Sequence, residues 1–160
     1  MRRESDGLQI LGPRECLDLM RSVPIGRIVF TDRALPAIQP VNFVLDGDDS
    51  VVIRTMPGSK LAAATRGAIV AFEADQFDAA TRTGWSVTLI GPARAVTAPA
   101  ERARLARLPL SPWSPGSRDH FIRVVPRQVT GRRVTRVPGA AAAGDGGPPV
   151  RAAARLQEGS

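Results

Sequence analysis

Four polar side chains flank one short turn of the sequence, and their types suit the binding of an anion. The segment IRTMPGSKL, residues 53–61, ends a predicted strand with Arg54 and Thr55 and begins a predicted helix with Ser59 and Lys60. The first backbone N–H groups of a helix are unpaired and carry a partial positive charge. Two cations, two hydroxyls and these amides could together bind a phosphate through charge-assisted hydrogen bonds.

Lys60 adds to this interpretation because it is the only lysine in the chain. A cation at a helix start opposes the helix dipole, at a cost of about 0.3 to 1 kcal/mol when exposed, unless a negative group lies between them. The alternative is that Ser59 caps the helix and Lys60 is solvated. The spacing alone leaves both interpretations open.

The other reactive side chains of the sequence give weaker evidence for a functional site. His120, beside Asp119, could act as an acid or a base, but a lone histidine in a loop is more often a solvated polar residue. Asp48 and Asp49 fall in a predicted hairpin turn, where aspartate is favoured for its backbone geometry. Cys16 lies on an apolar helical stripe and is expected to pack in the core. One cysteine and one histidine do not make the usual zinc site, and no catalytic residue can be assigned.

Length and composition indicate one globular domain. The chain has 160 residues, 43% of them hydrophobic, and no apolar run approaches the roughly 20 residues that span a bilayer. The charged start, MRRESDG, lacks the pattern of a signal peptide, so we expect no membrane association and a cytoplasmic location. We expect the folded domain over residues 8–137. Residues 138–160 are rich in Ala, Gly and Pro, and we expect a disordered tail there.

The positive charge is concentrated in one part of the sequence. The net charge is +7, and residues 94–136 contain 10 basic residues against two acidic ones. A basic face could bind nucleic acid, but no helix-turn-helix, zinc finger or aromatic RNP-like strand accompanies it. We therefore consider nucleic acid an improbable partner and prefer a rim that attracts anionic cofactors or substrates. The arginines concerned are Arg102, Arg104, Arg107, Arg132, Arg133 and Arg136.

The order of patterns predicts a mainly β protein. An amphipathic helix begins near Pro13, and short β-branched runs separated by turns then indicate antiparallel hairpins. Two further short helices are predicted at SKLAAATRG and PAERARLARL. The expected fold is a six- to seven-stranded antiparallel β-barrel with about three short helices over its openings. The predicted strands are GRIVFTD, LPAIQPVNFVLD, SVVIRT, AIVAFEAD, WSVTLIGPARAV, FIRVV and QVTGRRVTR.

The same series of segments resembles a known family. GRIVFTD, PVNFVLD, VVIRTMPGSKL, VAFEAD, GWSVTLIGPARAV and PWSPGSRDHFIRVVPRQVTGRR are similar in order and spacing to the pyridoxamine 5′-phosphate oxidase-like, FMN-binding split β-barrel proteins. The small actinobacterial members are the most similar branch. The resemblance covers residues 8–136.

This resemblance implies a homodimer with two FMN molecules at the subunit interface. By position, the FMN phosphate would be held by Arg54, Thr55, Ser59 and Lys60. The isoalloxazine ring would be lined by Gln39, Pro40, Val41 and Asn42. The partner subunit would contribute Trp85, Ser86 and Trp113, although plain packing in the core or in the dimer interface is the alternative for both tryptophans.

The implied function is that of an FMN-dependent oxidoreductase acting on a small-molecule substrate. The alternative is a non-catalytic protein that binds a flavin or a deazaflavin for storage, sensing or sequestration. Oxidation of pyridoxamine phosphate itself is not expected, because the C-terminal RRVTRVPGAAAAG departs from that enzyme's pattern and Ser117 to His120 match its substrate site only loosely.

Overall fold

A computed structural model of the chain describes residues 3–4, 7–59, 61–62, 66–110 and 120–136. Two helices are α1 (Pro13–Arg21) and α2 (Pro99–Leu105), and Leu61 and Ala62 are also helical. The strands are β1 (Arg3–Glu4), β2 (Leu8–Ile10), β3 (Ile25–Asp32), β4 (Leu35–Leu45), β5 (Val51–Thr55), β6 (Ile69–Asp78), β7 (Thr83–Ala95), β8 (His120–Val124) and β9 (Gln128–Val134).

Six of these strands close into an antiparallel barrel. Each pairs with the next in the order β7, β6, β3, β4, β5 and β8, and β8 pairs back onto β7. Strands β9, β2 and β1 continue the sheet outward from β7. Three of the six pairings are hairpins between consecutive strands, and closure also needs β6 to pair with β3 and β8 to return between β5 and β7.

The barrel splits along β7. One edge of this strand pairs with β6 along its length, whereas the other edge pairs first with β9, over Gly84–Ile90, and then with β8, over Ala93–Ala95. Gly91 and Pro92 lie between the two partners, and the strand continues through both residues. Proline is tolerated there because the ladder changes partner at that point.

We expect Gly91→Ala to destabilise the protein by about 1 to 3 kcal/mol, because overpacking must displace backbone. A Cβ at Gly91 would lie 1.7 Å from the carbonyl oxygen of Val125. The matched control is Gly47→Ala in the β4–β5 turn, where a Cβ meets nothing within 4 Å. Urea unfolding of both variants checks the expectation, and equal stability of the two would contradict it.

Helix α1 covers one opening of the barrel. It begins with Pro13 in its first turn, as predicted, and it buries Cys16, Leu17 and Met20 against β9, β4 and β7. Burial raises the pKa of the Cys16 thiol, which agrees with the predicted role in packing. The barrel interior is filled by alternate residues of each strand, including Ile28, Phe43, Phe72 and Leu89.

A second, smaller apolar cluster lies outside the barrel wall. Val52 and Phe121 point away from the interior and pack with Val96, Leu105 and Leu110. Leu105 is the buried residue of α2, so this helix covers the outer faces of β5 and β8.

The predicted fold class is confirmed. All seven predicted strands correspond to β3 through β9, while β1 and β2 were not predicted. β2 pairs with β9 and β1 pairs with β2, and these tertiary contacts carry little local signal over three and two residues. The predicted tail, residues 138–160, lies outside the described residues.

Candidate functional site

The two residues that end β5 point to opposite sides of the sheet. Val51 and Ile53 belong to the barrel core, and Thr55 continues their alternation toward the interior. Arg54 lies on the other face with Val52, which belongs to the outer cluster. The structure therefore separates Arg54 from Thr55 by face, although both were expected at one anion.

Thr55 and Ser59 do come together. Thr55 is buried, and its Oγ1 lies 3.3 Å from Oγ of Ser59 across the turn. The Ser59 hydroxyl oxygen also accepts a hydrogen bond of 3.1 Å from the backbone N–H of Ala62, which confirms the predicted helix cap. Gly58, at φ +75°, lets the chain reverse between the two hydroxyls. Lys60 lies outside the described residues.

A third polar side chain, besides Thr55 and Ser59, lies on the inward face of the barrel wall. His120 begins β8 directly opposite Thr55, in the register that also pairs Ile122 with Ile53 and Val124 with Val51. Residues directly opposite each other in an antiparallel pair share a face of the sheet, so the apolar stripe of the barrel wall ends in Thr55 and His120. Sequence reasoning favoured a solvated loop for this histidine, and that interpretation was wrong, because His120 is paired in a strand.

The imidazole of His120 has an unsatisfied nitrogen. Its Nε2 is buried and has no hydrogen-bond partner among the residues that the structure describes. Leaving a buried polar atom unpaired costs about 1 to 3 kcal/mol. The alternation of FIRVV could have revealed the inward direction of His120, but the missing partner could not be seen in the sequence.

Arg54 packs against an aromatic ring. Its guanidinium carbon lies 5.3 Å from the centroid of Phe121, its register partner on β8. This is the distance of a cation–π contact, which holds the side chain over the outer cluster.

The four predicted ring-lining residues of β4 also alternate. Gln39 and Val41 follow the inward set, while Pro40 and Asn42 lie on the outer face. Asn42 lines an open cavity of about 450 Å³, between the end of α1, β4 and the segment 108–110.

The two residues predicted on β7 for the partner's flavin lie on the part of the strand that pairs with β9, whereas β8, the neighbour of β5, pairs with Ala93–Ala95. Trp85 is 7% exposed and belongs to the barrel core cluster of its own chain, which agrees with the packing interpretation of this ring. Ser86 lies on the outer face opposite Asp75. An open cavity of about 570 Å³ at the β6–β7 hairpin is lined by Trp85 and Phe77. Trp113 lies outside the described residues.

A charged group occupies the outer face next to Pro40. Nη1 of Arg27 donates to Glu73 at 3.1 Å and to Asp75 at 3.2 Å, from β3 to β6. Burial raises the pKa of Glu73, and the neighbouring Asp75 raises it further, against the opposing effect of Arg27. The side chains of Glu73 and Asp75 are both partly exposed.

Part of the basic stretch is neutralised by acidic side chains, most of them from other parts of the chain. Arg123 is 2% exposed and donates to Asp46 and Glu101, each at 2.9 Å, as well as to Asp48 and Ser50. Outside this buried group, Arg104 pairs with Asp46 at 2.7 Å and Arg133 with Glu15 at 2.8 Å.

The same group of side chains strongly lowers the pKa of one carboxyl. Hydrogen bonds from Arg104 hold the pKa of Asp46 far below its ordinary value, and the Gly47 N–H and Arg123 act in the same direction. Asp46 and Asp48 therefore act in the structure as anions that hold Arg123.

Within the described part of the chain, the helices are too short to span a bilayer.

Comparison with known proteins agrees with this architecture. The family model for pyridoxamine 5′-phosphate oxidase matches residues 13–133. An uncharacterized protein of Mycobacterium tuberculosis is 44% identical over 126 residues, which cover 75% of this chain and 81% of that protein. The solved structure of the FAD binding protein from Mycobacterium smegmatis is 42% identical, with a TM-score of 0.66, over 78% of this chain and 96% of that one. A conserved protein of unknown function from Corynebacterium diphtheriae is 34% identical, with a TM-score of 0.69, over 81% and 100%.

The family match spans the strands of the closed barrel and the strand β9 that leaves it. Because the matched residues, 13–133, make up most of the chain, the chain belongs to the pyridoxamine 5′-phosphate oxidase-like family of split β-barrel proteins.

Proposed function

We propose that this chain binds a flavin by its ribityl phosphate, at the turn between β5 and the following helix. The observation that carries the proposal is the pair of hydroxyls at Thr55 and Ser59, 3.3 Å apart at the end of a buried strand. The residues present fit a phosphate, because two hydroxyls can donate to its oxygens and the neighbouring Nε2 of His120 lacks a partner among the described residues. Arg54 and Lys60 stay in the proposal from the sequence, with Arg54 reaching from the outer face.

The isoalloxazine ring is proposed to lie along β4. Pro40 and Asn42 present the outer face of this strand, and Gln39 and Val41 contribute backbone groups to its edge. Arg27, which is opposite Pro40 in the register, provides a cation beside this position. These residues orient the ring, and the bound flavin supplies the hydride or electron transfer.

A homodimer is the proposed assembly. An apolar row crosses the outer sheet face through register partners on four strands, namely Ile38, Val29, Ala71 and Ile90, and we call it the outer row. Ile38 is 67% exposed, and nearby Ile69 is 55% exposed. Exposed apolar surface of this kind is typical of a protein interface. In the dimer, Ser86 and Trp113 are proposed to reach the partner's flavin, while Trp85 packs in the core of its own chain.

We expect Ile38→Glu to weaken the dimer by at least about 100-fold, because it places an unpaired charge in the proposed interface. Size-exclusion chromatography with light scattering measures the change from dimer to monomer, and circular dichroism checks the fold. Ala103→Glu, at an exposed position of α2, adds the same charge elsewhere and should leave the dimer intact. A monomeric wild type, or a variant that stays dimeric, would contradict the proposed interface.

The proposed activity is an oxidoreduction of a small-molecule substrate in the cytoplasm. The non-catalytic alternative differs only in the absence of turnover. Anaerobic reduction of the bound flavin by NADPH or by a reduced deazaflavin, followed by rapid reoxidation by a defined acceptor, would support the enzyme. A flavin that stays oxidised with every donor would support storage or sensing.

FMN is the proposed cofactor, and FAD is the second candidate. The specific observation in favour of FAD is the 42% identity to the FAD binding protein from Mycobacterium smegmatis. Both molecules carry the ribityl phosphate that Thr55 and Ser59 are proposed to bind, so the proposed site does not distinguish them.

The absorption spectrum of the purified protein tests the proposal directly. We expect flavin bands in the visible range, and mass spectrometry of the released ligand then identifies FMN, FAD or a deazaflavin. Colourless protein that binds neither FMN nor FAD on addition would overturn the proposed function.

A further inference from the structure

We propose that His120 is an additional ligand of the flavin phosphate and that its Nε2–H donates a hydrogen bond to a phosphate oxygen. This inference rests on the proposed function, because it assigns a residue to the phosphate position proposed above. The sequence resemblance assigned that phosphate to Arg54, Thr55, Ser59 and Lys60, and His120 was not among them.

The first step of the argument is position. His120 and Thr55 are direct register partners at the ends of β8 and β5, so their side chains leave the same face of the sheet. Thr55 is in turn 3.3 Å from Ser59 through their hydroxyl oxygens. Three side chains that can donate hydrogen bonds are therefore grouped at one end of the barrel wall.

The second step is that the rest of this face is apolar. Behind His120, the inward residues of β8 are Ile122 and Val124, and those of β5 are Ile53 and Val51, all belonging to the barrel core. At the end of such a stripe, a leucine would contribute as much to apolar packing as a histidine does. Its polar nitrogen is the feature that needs an explanation.

The third step is the missing partner. Nε2 of His120 is buried, and nothing among the described residues accepts from it or donates to it. Buried polar atoms are nearly always paired with protein, water or ligand. A phosphate beside Thr55 and Ser59 would supply an anionic acceptor, for which an imidazole N–H is a suitable donor.

The test compares FMN with riboflavin, which lacks only the phosphate. His120→Phe keeps an aromatic ring but removes both imidazole nitrogens, and we expect its FMN affinity to fall by about tenfold or more. Riboflavin affinity should stay unchanged. His120→Gln keeps a donor and should recover part of the FMN affinity. Equal losses for both ligands, or no loss for FMN, would overturn the inference.

A spectroscopic measurement on the wild type tests the role of His120 even if a variant fails to fold. His120 is the only histidine of the chain, so its ring nitrogens can be observed without assignment ambiguity by ¹⁵N NMR. Titration with FMN should shift the Nε2 resonance, and titration with riboflavin should leave it in place. A resonance that both ligands leave unmoved would overturn the inference.

The two proposals fail in different ways. If the wild type binds neither FMN nor riboflavin, the proposed function fails. If the wild type prefers FMN to riboflavin and His120→Phe keeps the same preference, the phosphate site stands and only the role of His120 is lost.

Discussion

The double variant Thr55→Val, Ser59→Ala is expected to bind FMN about 10² to 10⁴ times more weakly than the wild type. Each substitution removes a hydroxyl that can donate to the phosphate, and hydrogen bonds to a charged group contribute about 1.5 to 3 kcal/mol each. Thr55→Val preserves the shape of the buried side chain, so the loss of affinity is not a loss of packing. Fluorescence titration with FMN and with riboflavin measures it, and only the FMN affinity should change.

Ser59→Ala also removes the cap of the following helix, at an expected cost of about 1 kcal/mol in stability. Ser22→Ala is a suitable control, because the Ser22 hydroxyl donates to the carbonyl of Leu19 at the end of α1, away from β5. It tests whether a lost hydrogen bond at a helix end is enough to weaken FMN binding. Unchanged FMN affinity in the double variant would remove Thr55 and Ser59 from the site.

Arg123→Met is expected to destabilise the protein by about 3 kcal/mol at pH 7. The guanidinium is almost fully buried, and its removal leaves Glu101, Asp46 and Asp48 without their shared cation. Because Glu101 lies on α2 and the two aspartates lie in the β4–β5 turn, the loss also loosens the helix from the barrel. Urea unfolding measures the difference.

Arg104→Met is the matched control, since Arg104 also binds Asp46 but from an exposed position. Its stability loss should be clearly smaller. The folded-state pKa of Asp46 lies below its ordinary value of 3.8, so its contribution is present above that pH and is lost as the pH falls further. Because hydrogen bonds from Arg104 are the main cause of that lowered pKa, the difference in stability between wild type and Arg104→Met should narrow below about pH 3.8. Equal losses in the two arginine variants would contradict a special role for the buried one.

Much of the fold could be predicted because it depends on local patterns. Strands β3 to β9 show β-branched runs bounded by turn residues, and α1 shows an apolar stripe after Pro13. The cap at Ser59 was equally visible, since a hydroxyl before a helix bonds a backbone amide three residues later. Strands β1 and β2 were not predicted because they are short and form only by pairing, β2 with β9 and β1 with β2.

The candidate site was predicted less completely. Proximity in sequence grouped Arg54 with Thr55, yet neighbouring residues of a strand lie on opposite faces, and the structure directs Arg54 onto Phe121. Conversely, residues distant in sequence can be neighbours in the sheet. His120 is 65 residues from Thr55 and is its direct register partner, because β8 closes the barrel beside β5. The sequence showed that residues 94–136 are strongly basic, but it could not show that Arg123 is paired with carboxylates distant in the chain.

By itself, the sequence determined the antiparallel strands, the helix starts and the family resemblance, because these follow from residue types at short spacing. Only the tertiary structure decided which polar groups share a face, which arginine is buried among carboxylates and which imidazole nitrogen has no partner in the described part of the chain. The physical reason is that burial and hydrogen bonding depend on contacts between strands far apart in the chain, and those contacts exist only once the barrel has closed.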